Sequence, residues 1–286
     1  MQTLYKSFPF NLKQIGEIKE DEIFTADGPV CKTCNQPRFV KLEENVVVRA
    51  LCSCQQKQLA VEQEKQRIAD CLAKFKNSAC KLMGNKYFNC DFKTAVKNQY
   101  NQQLYTSLEN YAKNAERVRE ENIGLYIWGT NSTGKTHAIA CLCKALIEKG
   151  YTCQFVSMQT ILSDIQASFS GLGETESATM YRLARADFLF LDDLGKEFLG
   201  REYNANQSKW AEKILLEILN VRANNKLPVI FTSNYTIQNL ETKLKLDKAI
   251  IERIMVMSTK IFNLEGCNFR RAERNNKKQL LESLGI

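Results

Sequence analysis

The chain has 286 residues, enough for about two domains, since domains commonly hold about 100–200 residues. Hydrophobic residues make up 44%, charged residues 25% and prolines only four positions, which excludes a collagenous, low-complexity or mostly disordered chain. The net charge of +8 favours polyanionic partners such as nucleic acid but does not require them.

Signals for export or membrane insertion are not visible in the sequence. No apolar stretch approaches the roughly 20 residues of a membrane span, and residues 1–6 hold no apolar block typical of a signal peptide. We therefore expect a cytoplasmic protein without a membrane partner. In such a chain the 11 cysteines are expected to be reduced thiols or metal ligands rather than disulfides.

The first 27 residues are polar and contain a Phe-Pro-Phe triplet, which is typical of a loosely held arm or a short helix. Beyond them, Cys31 and Cys34 are separated from Cys52 and Cys54 by seventeen residues, close to the C-x₂-C-x₁₅₋₂₀-C-x₂-C pattern of a structural zinc site. The second pair is one residue short, which still permits tetrahedral closure if Cys54 begins the following helix. Free thiols are the alternative.

Zinc would also explain how residues 28–54 fold, because they contain no long apolar run for a core. Metal binding supplies about 10–16 kcal/mol in zinc-finger peptides. Residues 55–82 are rich in helix formers and contain no Gly or Pro, so they predict one long helix. Its apolar positions are sparse, which indicates an exposed or partner-facing connecting helix.

From residue 123 onward, short apolar runs alternate with helical patterns, which predicts βα units around a parallel sheet and an α/β fold class. The first four runs are apolar throughout, as expected for strands covered by helices on both faces. The predicted strands are residues 124–128, 152–156, 188–191, 229–232 and 260–264.

A phosphate-binding loop is predicted between the first strand and a helix over residues 138–149. It fits GxxxxGK[ST] in the required strand–loop–helix context. Its residues are Gly129, Thr130, Asn131, Ser132, Thr133, Gly134, Lys135 and Thr136. Backbone N–H groups would converge on the phosphates of ATP or ADP, Lys135 would reach the β and γ phosphates, and Thr136 would ligate Mg²⁺. An ordinary glycine-rich turn is the alternative.

The strand predicted over residues 188–191 ends in two carboxylates, Asp192 and Asp193. An open parallel sheet holds its ligand at the carboxyl ends of its strands. Asp192 would hold the Mg²⁺ shell, and Asp193 would orient or deprotonate the attacking water. Asp193 stands where a longer Glu is common, so we expect slow hydrolysis, in keeping with a switch. An acidic turn without chemistry is the alternative.

Taken in order, these residues resemble the AAA+ replicative helicase loaders of bacteria and phage, the DnaC/DnaI type, whose near relatives include the IstB transposition ATPases. The resemblance covers about residues 86–271. A P-loop alone would identify only a superfamily, whereas the ordered set with Asp-Asp-Leu-Gly and Thr-Ser-Asn is more specific. The segments that carry it are Lys86-Tyr-Phe-Asn-Cys-Asp-Phe92, Gly124-Leu-Tyr-Ile-Trp-Gly129, Gly134-Lys-Thr-His137, Leu191-Asp-Asp-Leu-Gly195, Phe231-Thr-Ser-Asn234, Ile251-Glu-Arg253-Ile254 and Gly266-Cys-Asn-Phe-Arg270.

The resemblance implies roles for three further residues. Asn234 would sense the γ-phosphate from the tip of a strand, although an Asn there is otherwise a turn former. Arg253 would be an arginine finger for a neighbouring subunit, with a surface salt bridge as the alternative. Arg270 would be the second sensor, with Arg271 as an alternative, although the sixteen residues that follow are too few for a three-helix lid.

The implied function is an ATP-dependent loader that binds a hexameric replicative DNA helicase, self-associates on the helicase ring and delivers it onto single-stranded DNA. The implied domains are a zinc-binding, helicase-docking module over residues 1–54, a helical linker over 55–85 and an AAA+ ATPase domain over 86–286. Its parallel five-stranded sheet would be covered by helices. The ATPase, with Mg²⁺ and Zn²⁺ as cofactors, is expected to be slow until helicase and DNA assemble with it.

Two further segments leave alternatives open. The resemblance implies that residues 157–177, with Phe169, contact single-stranded DNA, whereas an amphipathic core helix and a mobile loop are the alternative. The basic stretch over residues 270–278 either contacts phosphates or forms a solvated helix end. The other seven cysteines are expected to be inert, since Cys141 and Cys143 lie two apart on a helix and diverge by about 200°. The single His137 offers no case for His-dependent catalysis.

Three other functions are less favoured. An IstB-like transposition helper ATPase would share every ATPase residue, but the zinc-type cysteines favour the loader. A zinc-dependent nucleic-acid adaptor with a vestigial ATP site would not need intact Lys135, Asp192 and Asp193. A metabolic P-loop kinase would have no role for Asn234 or Arg253.

Overall fold

The computed structural model describes residues 19–25, 27–43, 46–84, 90–171, 173–198, 205–266 and 268–284. Most of the expected N-terminal arm, residues 1–18, therefore lies outside the described residues. The chain divides into two compact units, Met1–Arg67 and Ile68–Ile286. The boundary lies inside one long helix, α1 (Ser53–Met83), whose bounds agree with the helix predicted over residues 55–82.

The first unit consists of two antiparallel ribbons and the beginning of α1. In the first ribbon β1 pairs with β2, and in the second β3 pairs with β4. The strands are β1 (Glu22–Thr25), β2 (Gly28–Cys31), β3 (Phe39–Glu43) and β4 (Val46–Arg49). Gly28 is required where the ribbons meet, because its φ is +118° and a Cβ there would lie 2.6 Å from the Phe39 ring.

Burial in the first unit involves charged groups and sulfur rather than an apolar core. Glu22, Arg38, Cys31 and Cys52 are buried, whereas no Val, Ile, Leu or Phe is buried among the described side chains of residues 19–67. Among these described side chains the hydrophobic effect therefore contributes little, and contacts of charged groups and sulfur take its place.

The second unit contains a parallel five-stranded sheet in the order β6-β7-β8-β5-β9. Every neighbouring pair of strands is parallel. The strands are β5 (Leu125–Trp128), β6 (Cys153–Ser157), β7 (Phe188–Leu194), β8 (Val229–Ser233) and β9 (Lys260–Asn263). The prediction of an α/β fold with five parallel strands is confirmed, and β7 extends three residues beyond its predicted end.

The other helices belong to the second unit. They are α2 (Gln102–Lys113), α3 (Ala115–Glu120), α4 (Lys135–Glu148), α5 (Met158–Phe169), α6 (Glu176–Arg185), α7 (Ala205–Asn224), α8 (Ile237–Thr242), α9 (Lys248–Met257) and α10 (Phe269–Ser283). Helix α4 begins three residues before its predicted start at residue 138. Within the described residues, no helix combines the length and apolarity needed to cross a membrane.

Helices cover both faces of the sheet, which explains why its strands are apolar throughout. Phe188 and Phe190 of β7 pack into one buried cluster with α2 and α4. Leu189 and Leu191 of the same strand pack into the other cluster, with α5, α7 and α9. Because successive side chains of a strand point to opposite faces, a strand buried on both sides loses the polar alternation of a half-exposed strand.

Candidate nucleotide-binding site and cysteine cluster

The predicted phosphate-binding loop joins β5 to α4. Gly134 caps α4 with φ +93°, and Ser132 also has a positive φ of 68°. Gly129 is required by packing, because a Cβ there would lie 2.1 Å from the carbonyl oxygen of Leu264. In the described chain, no side chain caps α4 and its first turn carries no acid. The first N–H groups of this helix are therefore suited to an anion such as phosphate.

Lys135 lies inside the loop and is 7% exposed. Its Nζ donates hydrogen bonds to the carbonyl oxygens of Gly129 at 2.8 Å and Thr130 at 2.9 Å. It also donates to Oδ1 of Asn234 at 2.9 Å. Burial lowers the pKa of Lys135 to about 8, although the nearby carboxylates act in the opposite direction. This partly desolvated ammonium is the group that is expected to reach the phosphates.

The two residues predicted to hold Mg²⁺ are in contact with each other. Asp192 is buried on β7, and the hydroxyl of Thr136 forms a hydrogen bond to its carboxylate. The Thr232 hydroxyl donates to Asp192 Oδ1 at 2.6 Å. Burial, together with the charge of Asp193, raises the pKa of Asp192 to about 6. A buried carboxylate beside a hydroxyl is an oxygen donor set that suits Mg²⁺.

Asp193 and Asn234 come together from neighbouring strands. Asn234 Nδ2 donates to Asp193 Oδ1 at 2.9 Å, while Oδ1 of the same amide accepts from Lys135. Asp193 adopts a positive φ of 57°, its N–H donates to the Thr232 hydroxyl at 2.8 Å, and its carboxylate pairs with the Lys196 ammonium. The structure therefore joins the P-loop lysine, both acids and the predicted sensor Asn234.

A cavity of about 590 Å³ lies over these residues, within the range of about 300–1,000 Å³ that is common for ligand pockets. Arg270 lines the cavity, and Arg271 is not among its lining residues. Sequence reasoning missed several other lining side chains, which come from distant parts of the second unit: Leu82, Thr94, Val96, Tyr105, His137, Lys196 and Phe269.

Phe269 and His137 show how the missed residues reach the cavity. The Phe269 N–H donates to the Ser132 carbonyl at 2.9 Å, and its ring lies 3.2 Å from where a Cβ on Gly134 would be. The Tyr105 hydroxyl bonds to His137 Nδ1 at 2.8 Å, and burial lowers the pKa of His137. His137 could have been suspected because it directly follows the GKT motif. The contacts of His137 with Tyr105 and of Phe269 with Ser132 depend on the fold and have no signal in the sequence.

Arg253 does not line the cavity, unlike the other residues predicted to take part in hydrolysis: Lys135, Asp192, Asp193, Asn234 and Arg270. It lies on α9, is half-buried, and donates from Nε to Asn220 Oδ1 of α7 at 2.8 Å. Next to it on the same helix, Met255 and Val256 are exposed apolar side chains.

The four predicted zinc cysteines form a cluster in the first unit. Their sulfur atoms all lie within 4.8 Å of one another. Cys54 Sγ lies 3.1 Å from Cys52, 3.4 Å from Cys31 and 3.6 Å from Cys34. Cys54 occupies the first turn of α1, which is the placement that the shorter second pair requires.

Hydrogen-bond donors surround two of these sulfurs. Backbone N–H groups of Cys34 and Thr33 donate to Cys31 and lower the pKa of its thiol. Burial raises the pKa of Cys52, but hydrogen bonds from Cys54, the Gln55 backbone and other groups outweigh it and lower the value to about 6. Contacts among the sulfurs act in the opposite direction on Cys54 and raise the pKa of its thiol to about 12. The fit to Zn²⁺ therefore rests on the four sulfurs lying within 4.8 Å of one another.

The remaining buried cysteines form side-chain pairs rather than chelates. Cys141 hydrogen-bonds to Cys90, and Cys143 hydrogen-bonds to Cys153, so the two helix cysteines point to different neighbours as their spacing predicts. Neither pairing is predictable from the spacing of these cysteines along the chain. Cys267 lies outside the described residues.

Helix α5 buries Met158, Ile161, Leu162 and Ile165, as an amphipathic helix of the core does. Its last residue, Phe169, is 67% exposed and therefore lies outside the core. The basic stretch continues as helix α10, and its arginines and lysines are exposed.

Comparison with known proteins identifies a family and several relatives of this chain. A family model for IstB-like ATP-binding proteins matches residues 43–277, a range that includes Cys52 and Cys54 but not Cys31 or Cys34. The replicative helicase loader DnaC of Buchnera aphidicola subsp. Baizongia pistaciae is 23% identical over 230 residues, which cover 77% of this chain and 88% of that protein.

Replicative helicase loader DnaC of Escherichia coli K12 is 26% identical over 170 residues, 58% of this chain. The match spans 62% of the E. coli protein, less than two thirds of its length. A solved structure of the DnaC helicase loader superposes with a TM-score of 0.51 at 24% identity and covers 63% of this chain and 99% of that chain. These matches confirm the resemblance to helicase loaders, and the superposition confirms the AAA+ fold.

Proposed function

The chain belongs to the IstB-like ATP-binding protein family, and on that premise we propose that it is an ATP-dependent loader of a hexameric replicative DNA helicase. The family suggests ATPase activity, and similarity to DnaC loaders supports a loader role. The observation that carries the proposal is the contact of Lys135 with Asn234, and of Asn234 with Asp193, beside Asp192. A vestigial ATP site would not explain why these side chains are in contact.

The residues of the cavity divide the work of nucleotide binding and hydrolysis. Bound ATP with Mg²⁺ would supply a γ-phosphoryl group whose transfer to water changes the state of the loader. Backbone N–H groups of residues 129–136 cradle the phosphates, and Lys135 neutralises the charge of the β and γ oxygens. Thr136 and Asp192 provide oxygen ligands for the metal. Arg270, which lines the cavity, is the second sensor in preference to Arg271.

Asp193 positions the attacking water or accepts its proton. It is held by Asn234 and Lys196, and its side chain is one methylene shorter than Glu. Turnover by the isolated chain is therefore slow. Arg253 does not line its own chain's cavity. It acts instead as an arginine finger, whose positive charge stabilises the transition state of hydrolysis in the cavity of a neighbouring subunit. Self-association on the helicase ring would then raise the rate.

The cysteine cluster binds one Zn²⁺ and gives the N-terminal module its fold. This module, residues 1–54, docks on the helicase. Residues 55–85 form a helical linker, and residues 86–286 form the ATPase domain. Exposed Phe169 at the end of α5 is available for stacking on a base of single-stranded DNA. The Zn²⁺ assignment is supported by the mutual spacing of the four sulfurs.

A transposition helper ATPase is the second candidate, because the matched family is named for IstB-like proteins. The cavity is common to both functions and does not separate them. The cysteine cluster favours the loader, since Cys31 and Cys34 lie before the first residue of the family match.

The test is loading of a purified replicative helicase onto a DNA circle coated with single-stranded-DNA-binding protein, followed by unwinding of an annealed oligonucleotide. The wild-type chain with ATP is expected to support unwinding, and Lys135→Ala is expected to abolish it. Lys149→Ala, at the other end of α4 and outside the nucleotide cavity, is the matched control and should behave as wild type. Stimulation of a transposase without any binding to helicase would favour the second candidate.

A further inference from the structure

A buried arginine contacts the cysteine cluster. Arg38 is 1% exposed, and its NH1 group donates a hydrogen bond to Cys52 Sγ at 3.1 Å. A guanidinium is costly to bury unless its donors are satisfied by charged or polar partners. Neither the zinc-type spacing nor the family match, which begins at residue 43, points to this residue.

Two carboxylates fix the direction of the guanidinium. Arg38 Nε donates to Glu22 Oε1 at 3.1 Å, and NH2 donates to Asp21 Oδ2 at 3.2 Å. The Glu22 side chain is completely buried and also pairs with Arg49. With Nε and NH2 held by the carboxylates, the planar fork leaves NH1 directed at the sulfur of Cys52.

The backbone of Arg38 joins the two segments that carry the cysteines. Its N–H donates to the Pro29 carbonyl at 2.9 Å, two residues before Cys31, and its carbonyl accepts from the Ala50 N–H at 2.9 Å, two residues before Cys52. Arg38 is therefore attached to both cysteine segments while its side chain contacts one of the sulfurs.

We propose that Arg38 is a positioning residue for the metal-binding cysteines, which holds Cys52 Sγ in the ligating position and offsets the negative charge of the thiolate set. Four thiolates on one Zn²⁺ carry a net charge of −2, and a cation within hydrogen-bond distance of a sulfur lowers the electrostatic free energy of that arrangement. Removal of a side chain that hydrogen-bonds to a metal ligand commonly lowers the metal affinity by about 10–100-fold. The inference rests on the proposed binding of zinc by this cluster.

The experiment measures the zinc affinity of the full chain by competition with a chelator of known affinity. Arg38→Met is expected to weaken zinc binding by about 10–100-fold. Arg38→Lys keeps the charge but lacks the fork that reaches two carboxylates and a sulfur, so it should fall between wild type and Arg38→Met. Lys32→Met removes the same charge from an exposed position inside the first cysteine pair, where Nζ donates to the Glu20 carbonyl. This control should bind zinc as wild type does.

The spectrum of the Co²⁺-substituted chain distinguishes a direct contact of Arg38 with the Cys52 sulfur from a general contribution of Arg38 to the fold. The sulfur-to-metal charge-transfer band of the Co²⁺-substituted chain should shift in Arg38→Met and Arg38→Lys and stay unchanged in Lys32→Met. If Arg38→Met does not fold, Arg38→Lys carries the measurement. Wild-type zinc affinity in both Arg38 variants, or weaker binding with an unshifted band, would overturn the inference. Failure of the wild-type chain to bind zinc would instead refute the proposed metal site.

Discussion

The hydroxyl of Thr232 donates a hydrogen bond to Asp192 Oδ1 at 2.6 Å and accepts one from the backbone N–H of Asp193 at 2.8 Å. One side chain of β8 thus orients both acidic residues of β7. The register of the two strands shifts between Leu191 and Leu194, which is where this hydroxyl is inserted.

Replacement of Thr232 by Val should therefore impair the site without changing its shape. Val removes the hydroxyl and leaves the buried Asp192 carboxylate with one partner fewer, so we expect Mg²⁺-dependent nucleotide affinity to fall by about 10–100-fold. Thr232→Ser keeps the hydroxyl and should stay near wild type. Titration with a fluorescent ATP analogue at several Mg²⁺ concentrations measures the effect, and equal affinities in Val and Ser variants would exclude this role for the hydroxyl.

Lys135 and Asp193 should fail at different steps. Lys135→Ala removes the cation at the phosphates and should abolish nucleotide binding, whereas Asp193→Asn should bind nucleotide and lose about 10²–10⁴-fold in turnover. Filter binding and phosphate release separate the two outcomes. Turnover in Asp193→Asn that equals wild type would remove Asp193 from the water-positioning role.

Arg253→Ala should leave the isolated chain able to bind ATP and should cancel the stimulation of hydrolysis by helicase and single-stranded DNA, because its charge acts on a neighbouring subunit. Asn220→Ala removes the hydrogen-bond partner of Arg253 but keeps the guanidinium, so it should retain most of the stimulation. Phosphate release is followed while helicase and DNA are titrated. Identical stimulated rates in Arg253→Ala and wild type would make Arg253 a surface residue.

The purified chain should contain about one equivalent of zinc, and the Cys52→Ser, Cys54→Ser double variant should lose it. Cys71→Ser, Cys80→Ser changes two cysteines of α1 that lie outside the cluster, and it should keep the metal. Elemental analysis gives the stoichiometry. A metal-free wild-type chain whose N-terminal unit is still folded would contradict the expectation.

Arg222 is a buried structural arginine, and its loss should strongly destabilise the second unit. Its NH1 donates to the Leu183 and Ala186 carbonyls at 2.7 and 2.9 Å, and NH2 donates to the Pro228 carbonyl at 2.8 Å. Arg222→Met removes this donor from the Leu183 and Ala186 carbonyls, whereas the Pro228 carbonyl still accepts from the Leu189 N–H. The free energy of unfolding should therefore fall by about 3–5 kcal/mol.

Urea unfolding monitored by tryptophan fluorescence measures this loss, because both tryptophans, Trp128 and Trp210, belong to the second unit. Arg119→Met is the matched control. Arg119 pairs with Asp187 from a side chain that is 41% exposed, so its loss should cost less than about 1 kcal/mol. Comparable losses in the two variants would show that burial of Arg222 is not the source of its effect.

Local patterns predicted the five strands of the second unit and the helix after the phosphate-binding loop, because each is specified by a short stretch. The apolar run over residues 188–191 must be buried on both faces, and the loop from Gly129 to Thr136 is recognisable by its spacing between a strand and a helix. The sequence predicts that α4 begins at residue 138, three residues too late, because the GKT residues belong to the motif of the loop. In the structure Gly134 is the N-cap, so Lys135 is already helical.

Contacts between distant segments could not be predicted in this way. Nothing near Phe269 in sequence indicates that its N–H bonds to the Ser132 carbonyl, since that contact depends on β9 lying beside β5. In the sequence Arg38 is not distinguishable from a surface arginine, because Glu22 and Asp21, the carboxylates that allow its burial, lie 16 and 17 residues earlier. Strand order and the direction of such side chains are properties of the assembled fold.

During translation, the residues of the cysteine cluster are all made well before the last residues of the nucleotide cavity. The last of the four cluster cysteines is Cys54, whereas the nucleotide cavity is completed by Phe269 and Arg270, more than 200 residues later. Domains fold as units, N-terminal first, as the chain leaves the ribosome. A growing chain can therefore bring its four cysteines together before all the residues that line the nucleotide cavity have been made.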